Sequence, residues 1–134
     1  SLSALGMAAL EPLEDGERGV ITLTSSAAAQ DAQVGQIGYG SGKAGVNGLV
    51  LPMARDLMGF GIRVNSICPT FIRTPLSEPT FSDPEKLAWI KSKIKLNRVG
   101  QIEDIMGAVQ YLASDASALV TGTSILIDGG WTAD

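Results

Sequence analysis

The chain has 134 residues, 45% of them hydrophobic, and a formal net charge of −4, which is enough apolar material for a single core beneath a mildly acidic surface. Its lysines and arginines are scattered rather than clustered, which argues against nucleic acid and against a polybasic membrane surface; no apolar run reaches the ~18 residues of a membrane span, and no signal-peptide pattern is visible. The absence of histidine removes a Ser-His-Asp triad and histidine-ligated zinc, and the single cysteine, Cys68, leaves no internal disulfide and points to a reducing, cytoplasmic setting.

From the start of the chain, Leu2, Leu5 and Ala9 fall at helical spacing within Ser1 to Leu10, and Pro12 ends any helix there. An acidic turn from Leu13 to Gly19 leads into Val20 to Ser25, whose β-branched residues on both faces suit a central parallel strand. A loop that includes Gly35 to Gly38 precedes a helix over about Ser41 to Met58. Val46, Leu49, Val50, Met53, Ala54 and Leu57 give that helix one broad apolar stripe. Pro52 is expected to kink it, and Gly42, Gly45 and Gly48 would admit another element close to its early turns.

Ile62 to Cys68 is the next strand, and strand–helix–strand implies a right-handed parallel crossover. Pro69 to Thr80, rich in proline and threonine, reads as a loop. Asp83, Pro84 and Glu85 then supply an N-cap, a proline at the first helical position and an acid at the positive end of the dipole. The helix they open carries Leu87, Ile90 and Ile94 inward, with Lys86, Lys91, Lys93 and Lys95 mostly solvated. Another, over about Ile102 to Ser114, places Ile102, Ile105, Met106, Val109, Leu112 and Ala113 on one face. Ser124 to Asp128 is a last short strand, closed by Gly129 and Gly130. The order of elements is that of one half of a doubly wound α/β sheet.

The stretch from Ser26 to Lys43 holds the candidate chemistry. Tyr39 and Lys43 are four residues apart at the start of a helix, so both can point into one pocket. A phenol ionises near pH 10, and a fixed cation beside it favours the phenolate, as a general acid/base needs. A serine hydroxyl in the same pocket could hold a substrate carbonyl against the phenol. That is the chemistry of hydride transfer to a ketone, in which carbon takes hydride and oxygen takes a proton. The run from Gly40 to Gly45 formally matches G-x-G-x-x-G, but no strand directly precedes it, as a dinucleotide fingerprint requires. A P-loop fails too, because Ala44 stands where Ser or Thr should follow Gly42-Lys43. No S-x-x-K or G-x-S-x-G occurs to support a serine–lysine hydrolase. Cys68 reads as a small buried residue, and Trp89 and Trp131 as packing residues, with Trp89 in a possible substrate lid.

Ser26 lies thirteen residues before Tyr39, the Y-x-x-x-K pair is followed by I-R-V-N-S-I-C-P, and the chain closes on L-A-S-D, V-T-G and D-G-G between Leu112 and Gly130. From Gly19 onward this resembles the C-terminal half of a short-chain dehydrogenase/reductase. The resemblance implies a Rossmann-like, doubly wound parallel sheet in three α/β/α layers, with residues 1–134 as a partial NAD(P)-binding domain. It implies Tyr39 as proton donor and acceptor, Lys43 as the residue that holds the nicotinamide ribose, and Ser26 as the residue that orients the substrate. Ser25 is a neighbour one residue out of register. The loop from Pro69 to Thr74 would lie against the nicotinamide, with Pro69 and Thr70 beside the ring and the Ile72 backbone and Thr74 hydroxyl bonding its carboxamide. Thr70 departs from the glycine usual in the family, so crowding and strain are expected there.

The resemblance further implies NAD or NADP as cofactor, a small alcohol or ketone as substrate, and a homo-oligomer, dimer or tetramer, formed in part through Gly45, Val46, Leu49 and Met53. The family's glycine-rich first half is absent from the 134 residues, which leaves a second possibility: a truncated, non-catalytic chain that acts through oligomerisation.

Overall fold

The computed structural model describes residues 19–133, and the helix expected over Ser1 to Leu10 lies outside the described residues. Three strands, β1 (Gly19–Thr24), β2 (Ile62–Pro69) and β3 (Ser124–Ile127), form a parallel sheet in the order β1-β2-β3. β1 runs beside β2 from Gly19 opposite Ile62 to Thr24 opposite Ile67; β3 meets only the end of β2, from Ser66 opposite Ser124 to Pro69 opposite Ile127. Parallel neighbours need a crossover. α1 (Ile37–Leu57) makes the first, and α2 (Glu78–Phe81), α3 (Pro84–Lys93) and α4 (Ile102–Ala113) occupy the second.

Strand β2 shows how the layers are arranged, because successive side chains of a strand point to opposite faces. Val64 packs against Ala54 and Leu57 of α1, and Ser66 Oγ and Cys68 Sγ reach Asn47 Oδ1 of the same helix at 2.9 and 3.5 Å. Arg63 points the other way and donates to the Leu112 and Ser114 carbonyls at the end of α4, at 2.7 and 3.3 Å. Helices α1 and α4 therefore cover opposite faces, and the fold is a three-layer, Rossmann-like α/β/α sheet.

Two apolar clusters hold it. Ala54, Leu57 and Val64 form one between α1 and the sheet, joined by the partly buried Ile21, Met53, Phe60 and Ile62. Phe81, Ile90, Ile94, Val99 and Trp131 form the other, beyond the strand ends, with Phe71 and Leu87 against them. Each fully buried aliphatic side chain of this kind contributes about 1.5–3 kcal/mol. Gly129 and Gly130 close the second cluster with φ of 59° and 85°, and a Cβ on either would fall 2.6 Å from Ile94 or 2.9 Å from Lys95. Only glycine satisfies both the turn and the close approach.

Several expectations are corrected. Helix α1 begins at Ile37, not near Ser41, so Gly38 is helical; its N-cap, Gln36, makes no side-chain capping bond, and so the start carries no local signature. Pro52 lies inside the helix, as expected, on its exposed side. Its apolar stripe is only partly inward: Val50, Ala54 and Leu57 are buried, whereas Leu49 is 52% exposed. Nothing lies within 4 Å of a Cβ built on Gly42, Gly45 or Gly48; the close approach is instead at Gly40, where a Cβ would meet Ala32 Cβ at 2.7 Å. The loop expected from Pro69 to Thr80 contains the start of the short helix α2. Thr70 is not strained, since Asn97 is the one non-glycine residue with positive φ among the described residues. On α4 the expected face is only partly covered, with Leu112 buried but Ile102 and Met106 exposed.

Candidate active site

The C-terminal end of β1 delivers two serines with different tasks. Ser25 turns toward α1 and donates from Oγ to the Lys43 carbonyl at 2.9 Å. Ser26 has extended backbone (φ −162°, ψ 156°) and caps the short 3-10 turn Ala27–Ala29, its Oγ accepting from the Ala28 N–H at 3.1 Å. The same hydroxyl donates to the Pro69 carbonyl at 3.4 Å, a long contact for an O–H donor. Helix α1 brings Tyr39 in its first turn and Lys43 one turn later. Lys43 Nζ donates to the Thr24 carbonyl at 3.0 Å and sits 5.8 Å from the Tyr39 ring centroid. Tyr39 itself is 52% exposed.

A cavity of about 280 Å³ opens at this point, with Ser26, Tyr39 and Thr70 on its wall. Ala27, Ala28, Phe71 and Trp131 supply its apolar surface, and Asp31, Gln33 and Gln36 its polar one. Thr70 also lines a second cavity of about 230 Å³, shared with Ile72, Arg98 and Asp104. Lys43, Pro69 and Thr74 line neither. Pro69 enters through its carbonyl, which receives the Ser26 hydroxyl, and Thr74 Oγ1 is engaged with Ser77, 3.2 Å from its Oγ and accepting its N–H at 3.3 Å. The Ile72 carbonyl accepts from Ser77 Oγ at 2.7 Å.

The second cavity is braced by a forked ion pair in which Arg98 donates to both Asp104 oxygens at 2.6 and 2.8 Å. That guanidinium, and then the Gln101 N–H, hold the Asp104 carboxyl well below the usual carboxylate range. Cys68 is fully buried between Ser66 and Asn47, away from both cavities.

Sequence reasoning missed the polar wall. Asp31, Gln33 and Gln36 lie in the loop between Ser26 and Tyr39, and that position was itself the available signal: a loop joining two residues of one pocket must run beside the pocket. Trp131, read as a packing residue, both packs and lines the cavity, and its indole Nε1 donates to Asp31 Oδ2 at 2.8 Å across 100 residues of sequence. Among the described residues no helix is long and apolar enough to cross a membrane, and no cluster of metal-ligating side chains occurs.

A family model described as Enoyl-(Acyl carrier protein) reductase matches residues 1–132. The L-rhamnose-1-dehydrogenase of Scheffersomyces stipitis is 39% identical over 127 residues, covering 95% of this chain and 49% of that protein. The (3R)-3-hydroxyacyl-CoA dehydrogenase of Rattus norvegicus is 40% identical over 119 residues, 88% of this chain and 45% of that one. Among solved structures, 4-hydroxyisoleucine dehydrogenase complexed with NADH superposes with a TM-score of 0.85 at 37% identity, covering 90% of this chain and 50% of that one. A gluconate 5-dehydrogenase from Burkholderia cenocepacia J2315, in complex with NADP and tartrate, gives a TM-score of 0.83 at 29% identity over 87% of this chain and 46% of its own. The chain spans about half the length of the curated relatives it matches. By sequence and by fold, it belongs to the short-chain dehydrogenase/reductase family.

Proposed function

We propose that this chain serves an NAD(P)-dependent oxidoreductase that interconverts a secondary alcohol and a ketone, with Tyr39 as general acid and base. The observation that carries the reading is the convergence of Ser26 and Tyr39 on one cavity, with the Lys43 ammonium 5.8 Å from the phenol ring. The residues fit the nicotinamide end of the cofactor: Lys43 has N–H donors left after its bond to Thr24 for ribose hydroxyls, and Thr70 and Ile72 line the adjoining cavity. Among the described residues no pyrophosphate cradle is supplied, because the glycines from Gly40 to Gly45 lie inside α1 rather than at a strand-to-helix turn. When bound, NAD(P) supplies or accepts the hydride.

The protein's own part is proton transfer and orientation. Ser26 spends its proton on a 3.4 Å contact to Pro69, so redirecting it to a substrate carbonyl sacrifices little. Tyr39 passes its phenolic proton to the substrate oxygen during reduction and takes it back during oxidation. Lys43, fixed by Thr24, favours the negative charge that develops on the phenol oxygen. The single cysteine, which leaves no internal disulfide, supports a reducing, cytoplasmic setting for such an enzyme.

The test is a titration of the chain with NADH, followed by nicotinamide fluorescence, and turnover on secondary alcohols in the full chain. Saturable binding that weakens in Lys43→Ala, with turnover lost by about 10²–10⁴-fold or more in Tyr39→Phe, is the expected result. Unchanged kcat in Tyr39→Phe would sink the mechanism.

A second reading, association without catalysis, draws on the outward Leu49 and Leu51 of α1 and the open helix surface at Gly45 and Gly48. A chain that remains monomeric in light scattering at high concentration would count against it, and against the homo-oligomer proposed for the enzyme.

A further inference from the structure

We infer that Asp31 is a specificity-determining carboxylate of the cavity, and that the site takes a neutral, hydroxyl-rich substrate, an open-chain polyol or its ketose, in preference to an anionic one. The inference rests on the alcohol–ketone reading of the cavity and adds the substrate class to it.

Three observations carry it. The first is charge. Among the described residues on the cavity wall, Asp31 alone is ionic, and no lysine or arginine lies among them to neutralise a substrate carboxylate or phosphate. The nearby Lys43 is outside the wall and donates to Thr24.

The second is fixation. Asp31 belongs to an exposed loop, yet the Trp131 indole N–H holds its Oδ2 at 2.8 Å. Trp131 is itself buried and wedged against Phe71 and Trp89, with ring centroids 5.4 and 5.7 Å away. An ionised carboxylate has about four acceptor sites, so one indole bond leaves capacity for substrate hydroxyls.

The third is the mixture of donors and acceptors around it. Gln36 Oε1 accepts the Gln33 N–H at 3.1 Å, which leaves the Gln36 amide N–H groups as donors beside the Asp31 acceptor. Hydroxyl groups donate and accept at once and match such a wall; a carboxylate only accepts and meets a like charge.

The experiment compares D-glucitol with D-gluconate, which differ in a neutral –CH₂OH against –COO⁻ at one end, as substrates of the full chain with NAD⁺ or NADP⁺ as hydride acceptor. Wild type is expected to favour glucitol in kcat/KM by at least about fivefold, the scale of one like-charge contact in water. In Asp31→Asn, which keeps an oxygen for the indole, that preference should shrink by about fivefold, with gluconate gaining. Glu85→Gln, which removes one negative charge from the exposed start of α3, should leave the ratio unmoved.

Equal use of the two by wild type, an unchanged ratio in Asp31→Asn, or an equal change in Glu85→Gln overturns the inference while leaving the reaction intact. If neither compound turns over, tryptophan fluorescence titrations with the same pair decide, since Trp131 forms part of the wall. Tighter glucitol binding that Asp31→Asn abolishes upholds the inference even where the proposed reaction fails. Equal, reversed or absent binding overturns it.

Discussion

Helices α3 and α4 follow one another in the chain, and both are well capped, yet they meet the rest of the molecule differently. Asp83 accepts from the Glu85 and Lys86 N–H groups at the start of α3, while at the start of α4 Asp104 Oδ2 accepts the Gln101 N–H at 2.8 Å. Local grammar does not separate them. Packing does: Ile90 of α3 is 1% exposed within the cluster of Phe81, Val99 and Trp131, whereas Ile102 and Met106 of α4, which has the sharper division of apolar and polar faces, are 53% and 46% exposed. An amphipathic helix reports a surface that some partner covers, and the covering element need not be in the chain described.

The sharpest way to test that contrast is truncation on each helix. Ile90→Ala should cost about 2–5 kcal/mol in denaturant unfolding, the range for a buried aliphatic deletion. Met106→Ala should stay within about 0.5 kcal/mol if its face is bare. A Met106 penalty rivalling that of Ile90 would reveal a second chain seated on α4.

Glycine replacements ask the same question of α1 at a smaller scale. Gly40→Ala should destabilise by about 1–3 kcal/mol, because its Cβ would press on Ala32 and on the Ala28 carbonyl. Gly48→Ala meets open space and should stabilise by up to about 1 kcal/mol through helix propensity. Loss of stability at Gly48 would place a partner against that surface.

The smallest effect concerns Asp128, which supports the turn leading to Trp131. Burial pushes its carboxyl up, but the Thr132 N–H and hydroxyl and the Gly130 N–H outweigh this and hold it below the usual value. A carboxyl depressed in the folded state contributes stability that is fully present above the unfolded value, about pH 4, and is lost as pH falls through the folded one. Asp128→Asn should therefore flatten the acid limb of a melting-temperature profile below about pH 4.

What was legible in the sequence was what is encoded locally. The Asp83-Pro84 cap, the β-branched run of β1 and the spacing of Tyr39 and Lys43 each specify their surroundings within a few residues. The start of α1 was not legible, because Gln36 makes no side-chain cap there. Nor was the bond between Asp31 and Trp131, which no pattern of period two or 3.6 encodes across such a separation. Thr70 failed for another reason: its strain was inferred by analogy with a glycine in relatives, whereas among the described residues positive φ falls at five glycines and Asn97.

The paired bonds at the base of α1, Ser25 Oγ to the Lys43 carbonyl and Lys43 Nζ to the Thr24 carbonyl, act as a buckle across the segment between them. They tie the two ends of residues 27–36 together through groups outside that segment, although Ala27 and Ala32 are held by their own packing. Loop-closure cost grows only slowly with loop length, about 0.6 kcal/mol per doubling, so a buckled segment can be rewritten or extended at little cost to the frame. On the proposed roles, selectivity would sit in the segment and proton transfer outside it. A library varied only between Ala29 and Gln36, with the buckle kept, would vary the cavity's polar wall while leaving Ser26, Tyr39 and Lys43 in place.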